Sequence, residues 1–271
     1  MNAAGALVAE GVHVSSDLNV PGRMLASLTW TEVAESIDSR SIILLPIGVV
    51  EAHGTHLGLD TDVIIAQAAA QSAAHRFAAI GRNAWIAPSI WYGVSFVGAS
   101  FPGTTPVAAE PFRAYLEWVL RGLAAIGGSD VVVINAHLEP AHFSAISEAC
   151  NLVSRETGQL VHVVDHRPLR WAERLGAEFA GGSRHAGSYE TSIVLAASPD
   201  SVRVDRLSEL EPVWIDLPAK LAAGARTFDE AGGTQAYFGN PAISTAEEGR
   251  ILIEVLGEII VESYLEARDQ Q

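Results

Sequence analysis

The stretch SIILLPIG (41–48) runs directly into EAHGTHLGLDTD (51–62). An apolar run this short, bounded by polar residues, reads as a strand buried on both faces, as in a parallel sheet. The Ala-rich segment 62–79 that follows reads as a helix, with Asp62 placed where an acid suits the helix dipole. Working outward, strands are expected at 84–87, 130–135 (DVVVIN) and 160–164. Helices are expected at 109–126, 141–157, 190–197 and 245–266. Gly127-Gly128 ends the second helix and Ser198-Pro199 the fourth. Alternation of this kind predicts an α/β fold with a mainly parallel sheet and helices on both faces. Residues 1–24, which end near Pro21-Gly22, read as an N-terminal arm, and 25–271 as a single catalytic domain.

In an extended chain, residues two apart face the same side. Glu51 and His53 therefore address one site just past the first strand, and Asp62 returns to it from the next helix. The strand DVVVIN leads into Ala136-His137-Leu138-Glu139, where an imidazole and a carboxylate are again two apart. Sites in open parallel sheets form beyond the carboxyl ends of the strands, so both pairs can meet. A third segment, Arg184-His185-Ala186-Gly187-Ser188-Tyr189-Glu190, follows Gly181-Gly182 and opens a helix.

Three converging carboxylates, Glu51, Asp62 and Glu139, would repel one another unless cations neutralise them. Two divalent ions and a bridging hydroxide give a neutral core, and that hydroxide is the nucleophile of a dinuclear hydrolase. Cys150 is the only cysteine, so thiolate ligation and an intrachain disulfide are both excluded. His53 and His137 with three carboxylates suit zinc, manganese or iron. His185 is the candidate proton donor to the leaving group, and Glu190 either orients it or adds a metal ligand. His56 reads as a residue that orients Glu51 or Asp62, and His142 as a packing residue or one that orients a ligand. Asp165 and His166, at the end of the fourth strand, read as possible substrate contacts.

The net charge of −15 opposes nucleic-acid binding and anionic membrane surfaces. No apolar run reaches the ~20 residues of a membrane helix. The N-terminus lacks the order of a secretion signal, so a cytoplasmic location is expected. A hydrophobic content of 49% and a mean hydropathy of +0.23 point to a large core and a subunit interface, hence a homo-oligomer.

At these residues the chain resembles the creatininase (creatinine amidohydrolase) family. The similar stretches are 45–62, YG…FPGTT (92–105), INAHLE (134–139), RHAGSYETS (184–192) and YFGNPAISTAEEG (237–249). The resemblance implies a three-layer α/β/α domain, two divalent metal ions per chain, and hexameric assembly. By position it gives Glu51, Asp62 and His137 to one ion and His53, Asp62 and Glu139 to the other. The chain departs from the creatinine-hydrolysing enzymes in three places. Gly181-Gly182 replace a Trp-Asp pair, Leu138 replaces a Tyr, and the loop after Tyr92 is shorter and carries Ser95, Phe96 and Ser100. Tyr92, Ser95, Leu138 and Gly182 are therefore the expected substrate-binding positions. The expected reaction is hydrolysis of a non-peptide C–N bond in a small cyclic amide other than creatinine. Ring opening of a lactone or cyclic ketone, and a non-enzymatic metal-binding subunit, remain as alternatives.

Overall fold

The computed structural model describes residues 22–271. The expected arm falls outside the described residues as far as residue 21. Four parallel strands, β1 (Ile42–Ile47), β2 (Ala84–Ile86), β3 (Asp130–Asn135) and β4 (Val161–Val163), pair in the order β2-β1-β3-β4. Ile42 lies opposite both Ala84 and Asp130, and Ile47 opposite Asn135. The chain leaves β1 for one side of the sheet and reaches β3 on the other. The carboxyl ends of β1 and β3 thus form the crevice where such sheets bind ligands.

The helices that flank the sheet are α1 (Thr61–Ala79), α2 (Ala109–Ala125), α3 (Pro140–Thr157), α4 (Ser188–Ala197) and α5 (Ala246–Asp269). Successive strand side chains point to opposite faces, and the cores divide accordingly. Ile42, Leu44, Val132 and Ile134 pack with Ile65, Ile193, Leu256 and Ile260 of α1, α4 and α5. Ile43, Leu45, Val131 and Val133 pack with Leu116, Leu120, Ile146 and Val153 of α2 and α3. A sheet covered by helices on both faces is the three-layer arrangement the resemblance implied.

Element ends differ from the expectations by small amounts with local causes. Helix α3 begins at Pro140, at a first-turn position where the missing N–H costs nothing. Thr245 is the cap of α5 rather than its first residue, accepting a 3.1 Å bond from the Glu248 N–H. Helix α4 starts at Ser188, so Glu190 falls in its first turn. The segment after α4, to which the sequence assigns no element, contains short helices at Leu217–Ala222 and Phe228–Ala231. Leu217, Phe228, Ala231 and Phe238 gather with Ala52 and Val97 into a third cluster beside the crevice. Among the described residues no helix is long and apolar enough to cross a membrane.

Candidate active site

Gly48 ends the apolar run of β1, and a Cβ there would lie 2.5 Å from the Val63 nitrogen. Glycine lets the start of α1 lie against the chain leaving β1. Asp62 thereby reaches the residues that follow β1, and Asn135 at the end of β3 fixes the backbone of His137 through bonds to its N–H and carbonyl. All five expected ligands converge and are nearly inaccessible to solvent, Glu139 the least so.

The groups are interlocked. Asp62 stands between two imidazoles, with Oδ1 3.3 Å from His53 Nε2 and Oδ2 3.1 Å from His137 Nδ1. Glu51 Oε2 is 3.3 Å from His137 Nδ1, and Glu139 Oε2 is 3.9 Å from His137 Nε2. Glu190 Oε2 is 3.6 Å from His53 Nε2. Donor atoms within 4.8 Å of one another fall into three sets: Glu51–His137–Glu139, His53–Asp62–Glu190, and Glu51–His53–His185. The carboxylates therefore divide differently from the family-derived expectation. Glu139 groups with Glu51 and His137, while Glu190, left open between two roles, groups with His53 and Asp62.

Four of these buried atoms have no hydrogen-bond partner: Glu51 Oε2, His53 Nε2, Asp62 Oδ2 and His137 Nε2. Orphaned polar atoms in a folded interior are costly, and here they share one centre. The tautomers agree with a ligand role. His53 Nδ1–H donates to the Glu51 carbonyl at 3.1 Å, which leaves Nε2, facing Asp62 and Glu190, as the atom that would give up its proton to a metal. Two imidazoles and four carboxylates without sulfur are a donor set for zinc, manganese or iron. The clusters are consistent with a dinuclear metal site, and the residues present fit it.

The surroundings hold the ligands in place. Ser95 Oγ–H donates to Glu51 Oε1 at 2.7 Å, and the Val97 N–H to Glu139 Oε2 at 3.1 Å. Ala186, in a left-handed conformation with φ of 50°, aims its N–H at Glu190 Oε2 at 2.6 Å. His56 Nε2 lies 2.9 Å from Thr191 Oγ1. His142 Nδ1 accepts from the Val94 N–H at 3.1 Å, so its Nε2–H donates to Asn135 Oδ1 at 3.2 Å. His56 thus holds Thr191 rather than Glu51 or Asp62, and His142 holds Asn135 while its ring stacks on Phe112.

Charges follow from burial and proximity. Burial opposes a charged His53, but Asp62, Glu190 and Glu51 together outweigh it and hold its pKa at about 10. Glu190 is pushed up to about 8, chiefly by burial. His185 is driven down to about 3, first by burial and then by His53. It is a neutral imidazole whose Nε2–H donates to the Ala52 carbonyl at 3.0 Å, with Nδ1 3.9 Å from Glu51 Oε2. Its ring stacks on Phe228 at 4.2 Å between centroids.

A cavity of about 150 Å³ opens over these groups, walled by Val97, Leu138, Leu217, Leu221 and Phe228 and reaching Arg167 and Arg184. Of the four expected substrate positions, Leu138 lines it and three do not. Tyr92 is 53% exposed and outside the cavity. Ser95 is buried behind Glu51 and serves that carboxylate instead. Gly182 packs against Asp216, whose Oδ1 would sit 2.5 Å from any Cβ at that position. The space beside this glycine is thus filled by the loop that carries Asp216. Asp165 does not line the cavity, but it binds Arg167, which does. His166 faces a separate small apolar cavity beside α5.

Comparison with known proteins accords with this geometry. Residues 26–264 match the family model described as creatininase, creatinine amidohydrolase. The chain is 33% identical over 233 residues to a mycofactocin precursor peptide peptidase of Mycobacterium tuberculosis, covering 83% of this chain and 84% of that protein. It is 27% identical over 261 residues to a creatinine amidohydrolase of Pseudomonas putida, covering 89% and 96%. A solved manganese creatininase superposes with a TM-score of 0.65 at 25% identity, covering 90% of this chain and 98% of the other. A matching sheet, a matching order of motifs and a match along nearly the whole described chain place it: the protein belongs to the creatininase family.

Proposed function

We propose that this chain hydrolyses the C–N bond of a small amide at a dinuclear metal centre. The observation that carries the reading is the convergence of four buried, unpartnered donor atoms on one centre beneath a cavity. Glu51, His137 and Glu139 would hold one ion, and His53 and Glu190 the other, with Asp62 between them. When bound, the two ions supply Lewis acidity for the amide carbonyl and acidify a water. The protein's own groups do the rest. Ser95 and the Val97 N–H keep Glu51 and Glu139 aimed inward. His185, fixed as the Nε2–H tautomer by the Ala52 carbonyl, takes a proton at Nδ1 and passes it to the departing nitrogen. The apolar wall of Leu138, Leu217 and Phe228 excludes bulk water.

A cavity of about 150 Å³ accommodates a group on the order of a benzene ring, which favours a compact, cyclic amide. A second reading, cleavage of a peptide-type amide, is favoured by the similarity to a peptidase. The exposed Trp30, Trp118 and Trp214 support assembly into a homo-oligomer. The test is a panel of cyclic amides, N-acyl amino acids and short peptides, run before chelation, after it, and after zinc or manganese is restored. Metal-dependent hydrolysis of an amide is expected. Activity that survives complete chelation, or hydrolysis of lactones with no amide turned over, overturns the proposal.

A further inference from the structure

Two arginines reach the cavity that holds the candidate centre, and neither neutralises its carboxylates. Arg167 leaves the end of β4 and is clamped by Asp165, with Nε 2.7 Å from Oδ1 and Nη2 2.9 Å from Oδ2. Its guanidinium lies 3.7 Å above the Phe143 ring. Two of its nitrogens are thus occupied and the plane is fixed, with Nη1 left over. Arg184 donates Nε–H to the Phe179 carbonyl at 2.7 Å and lies 4.7 Å over the Phe179 ring. Among the described residues no carboxylate comes within ion-pair distance of Arg184, so both of its Nη groups remain free. Burial is the first cause that lowers its pKa; the Asp216 carboxylate, beyond ion-pair distance, opposes that shift, and the neighbouring Arg167 adds to it. A partly desolvated guanidinium held rigid, with no carboxylate in contact with its Nη groups, is a preformed anion site. Two features argue against a merely structural pair: both arginines face the same cavity, and both are held from behind, by Asp165 and by Phe179.

We infer that Arg167 and Arg184 form a clamp for a carboxylate on the substrate, which makes the enzyme selective for amides that carry a negative charge near an apolar group. Asp165 cancels one of the two positive charges, and the one left over matches a singly charged carboxylate better than a doubly charged phosphate. The wall of Leu138, Leu217, Leu221 and Phe228 lies in the same cavity and suits an apolar group beside that carboxylate. The clamp rests on the hydrolase reading above, since it assigns the substrate class of that same site. It answers a question the metal centre leaves open, because the centre treats any amide carbonyl alike.

The test is calorimetric binding of N-acetyl-leucine and of its neutral counterpart, N-acetyl-leucinamide, to the zinc-loaded full chain. The acid should bind about 10–100-fold more tightly, the range of one charge-assisted bond. Arg184→Gln should reduce that preference to within a few fold, and Arg184→Lys should restore part of it. Arg167→Gln should weaken the acid and leave the amide unchanged. Zinc content and melting temperature, measured on every variant, separate a lost clamp from a lost fold. Equal binding of acid and amide by the wild type overturns the clamp. So does a preference that persists in both glutamine variants, which would place the carboxylate on the metals. Inorganic phosphate that competes more strongly than acetate would reassign the site to a phosphorylated ligand and equally overturn it. A wild type that takes up no zinc removes the hydrolase reading itself, whereas a zinc-loaded protein without acid preference removes only the clamp.

Discussion

Asp62→Asn keeps the size of the side chain and removes one negative charge where His53 Nε2 and His137 Nδ1 meet, 3.3 and 3.1 Å away. Partners one step removed from a metal already contribute roughly 10–100-fold to its affinity. Loss of a ligand shared by two ions should therefore weaken each by at least about 100-fold, about 2.7 kcal/mol per site. At free zinc about 100 times the wild-type Kd, the wild type gains about 2.7 kcal/mol per site, and the variant only about 0.4. For a chain of this size about 1 kcal/mol moves the Tm by roughly 2 °C. Zinc should thus raise the wild-type Tm by about 10 °C and the variant's by about 2 °C. The assay is thermal unfolding in zinc-buffered and chelated solution. If Asp62 served only the dipole of α1, a loss of about 0.3–1 kcal/mol would appear equally in both solutions. An unchanged zinc-induced rise in the variant refutes the bridging role.

Three other outcomes follow from the same geometry. His185→Ala should fold, retain its metals and lose about 10²- to 10⁴-fold in kcat on an amide, and an unchanged kcat removes His185 from the reaction. Ser95→Ala deletes the 2.7 Å bond to Glu51 and should lower metal affinity by roughly 10–100-fold, read by competition with a chromogenic chelator; equal affinity shows that Glu51 is held without it. In the metal-free protein, His53 and Glu190 have pKa values raised to about 10 and about 8. Groups raised on folding stabilise fully below their unfolded pKa values and lose that contribution as pH rises. The chelated protein should therefore melt at progressively lower temperature from about pH 6.5 to 10, while zinc-loaded protein, with metal in place of the protons, should not. A chelated Tm that is flat or rising across that window contradicts this arrangement.

Much of the fold was legible because its signals are local. DVVVIN can only be a buried strand or a buried helix turn, and its length and β-branched content decide for the strand. β3 occupies those six residues. The meeting of the candidate ligands was legible because Glu51, His53, His137 and Glu139 follow strand ends, where topology brings them together. The pocket wall was not. Tyr92, Ser95 and Gly182 stand out by position along the chain, but the cavity is closed by Leu217, Leu221 and Phe228, which arrive on short helices far downstream. Their apolar character carries no periodic signal, and only the packing of the loops decides which side chains face inward. Arg167 and Arg184 fall between these cases. Asp165-His166-Arg167 at the end of β4 marked the right place, but which of the three faces the cavity depends on the ion pair Asp165 makes with Arg167.

The proposed hydrolysis requires two metal ions bound at one centre. Crystals of the zinc-loaded protein, measured at the zinc absorption edge, should show two anomalous peaks per chain. One should lie among Glu51, His137 and Glu139 and the other among His53, Asp62 and Glu190. No peak within this cluster, or a single peak at full zinc occupancy, would contradict the dinuclear centre.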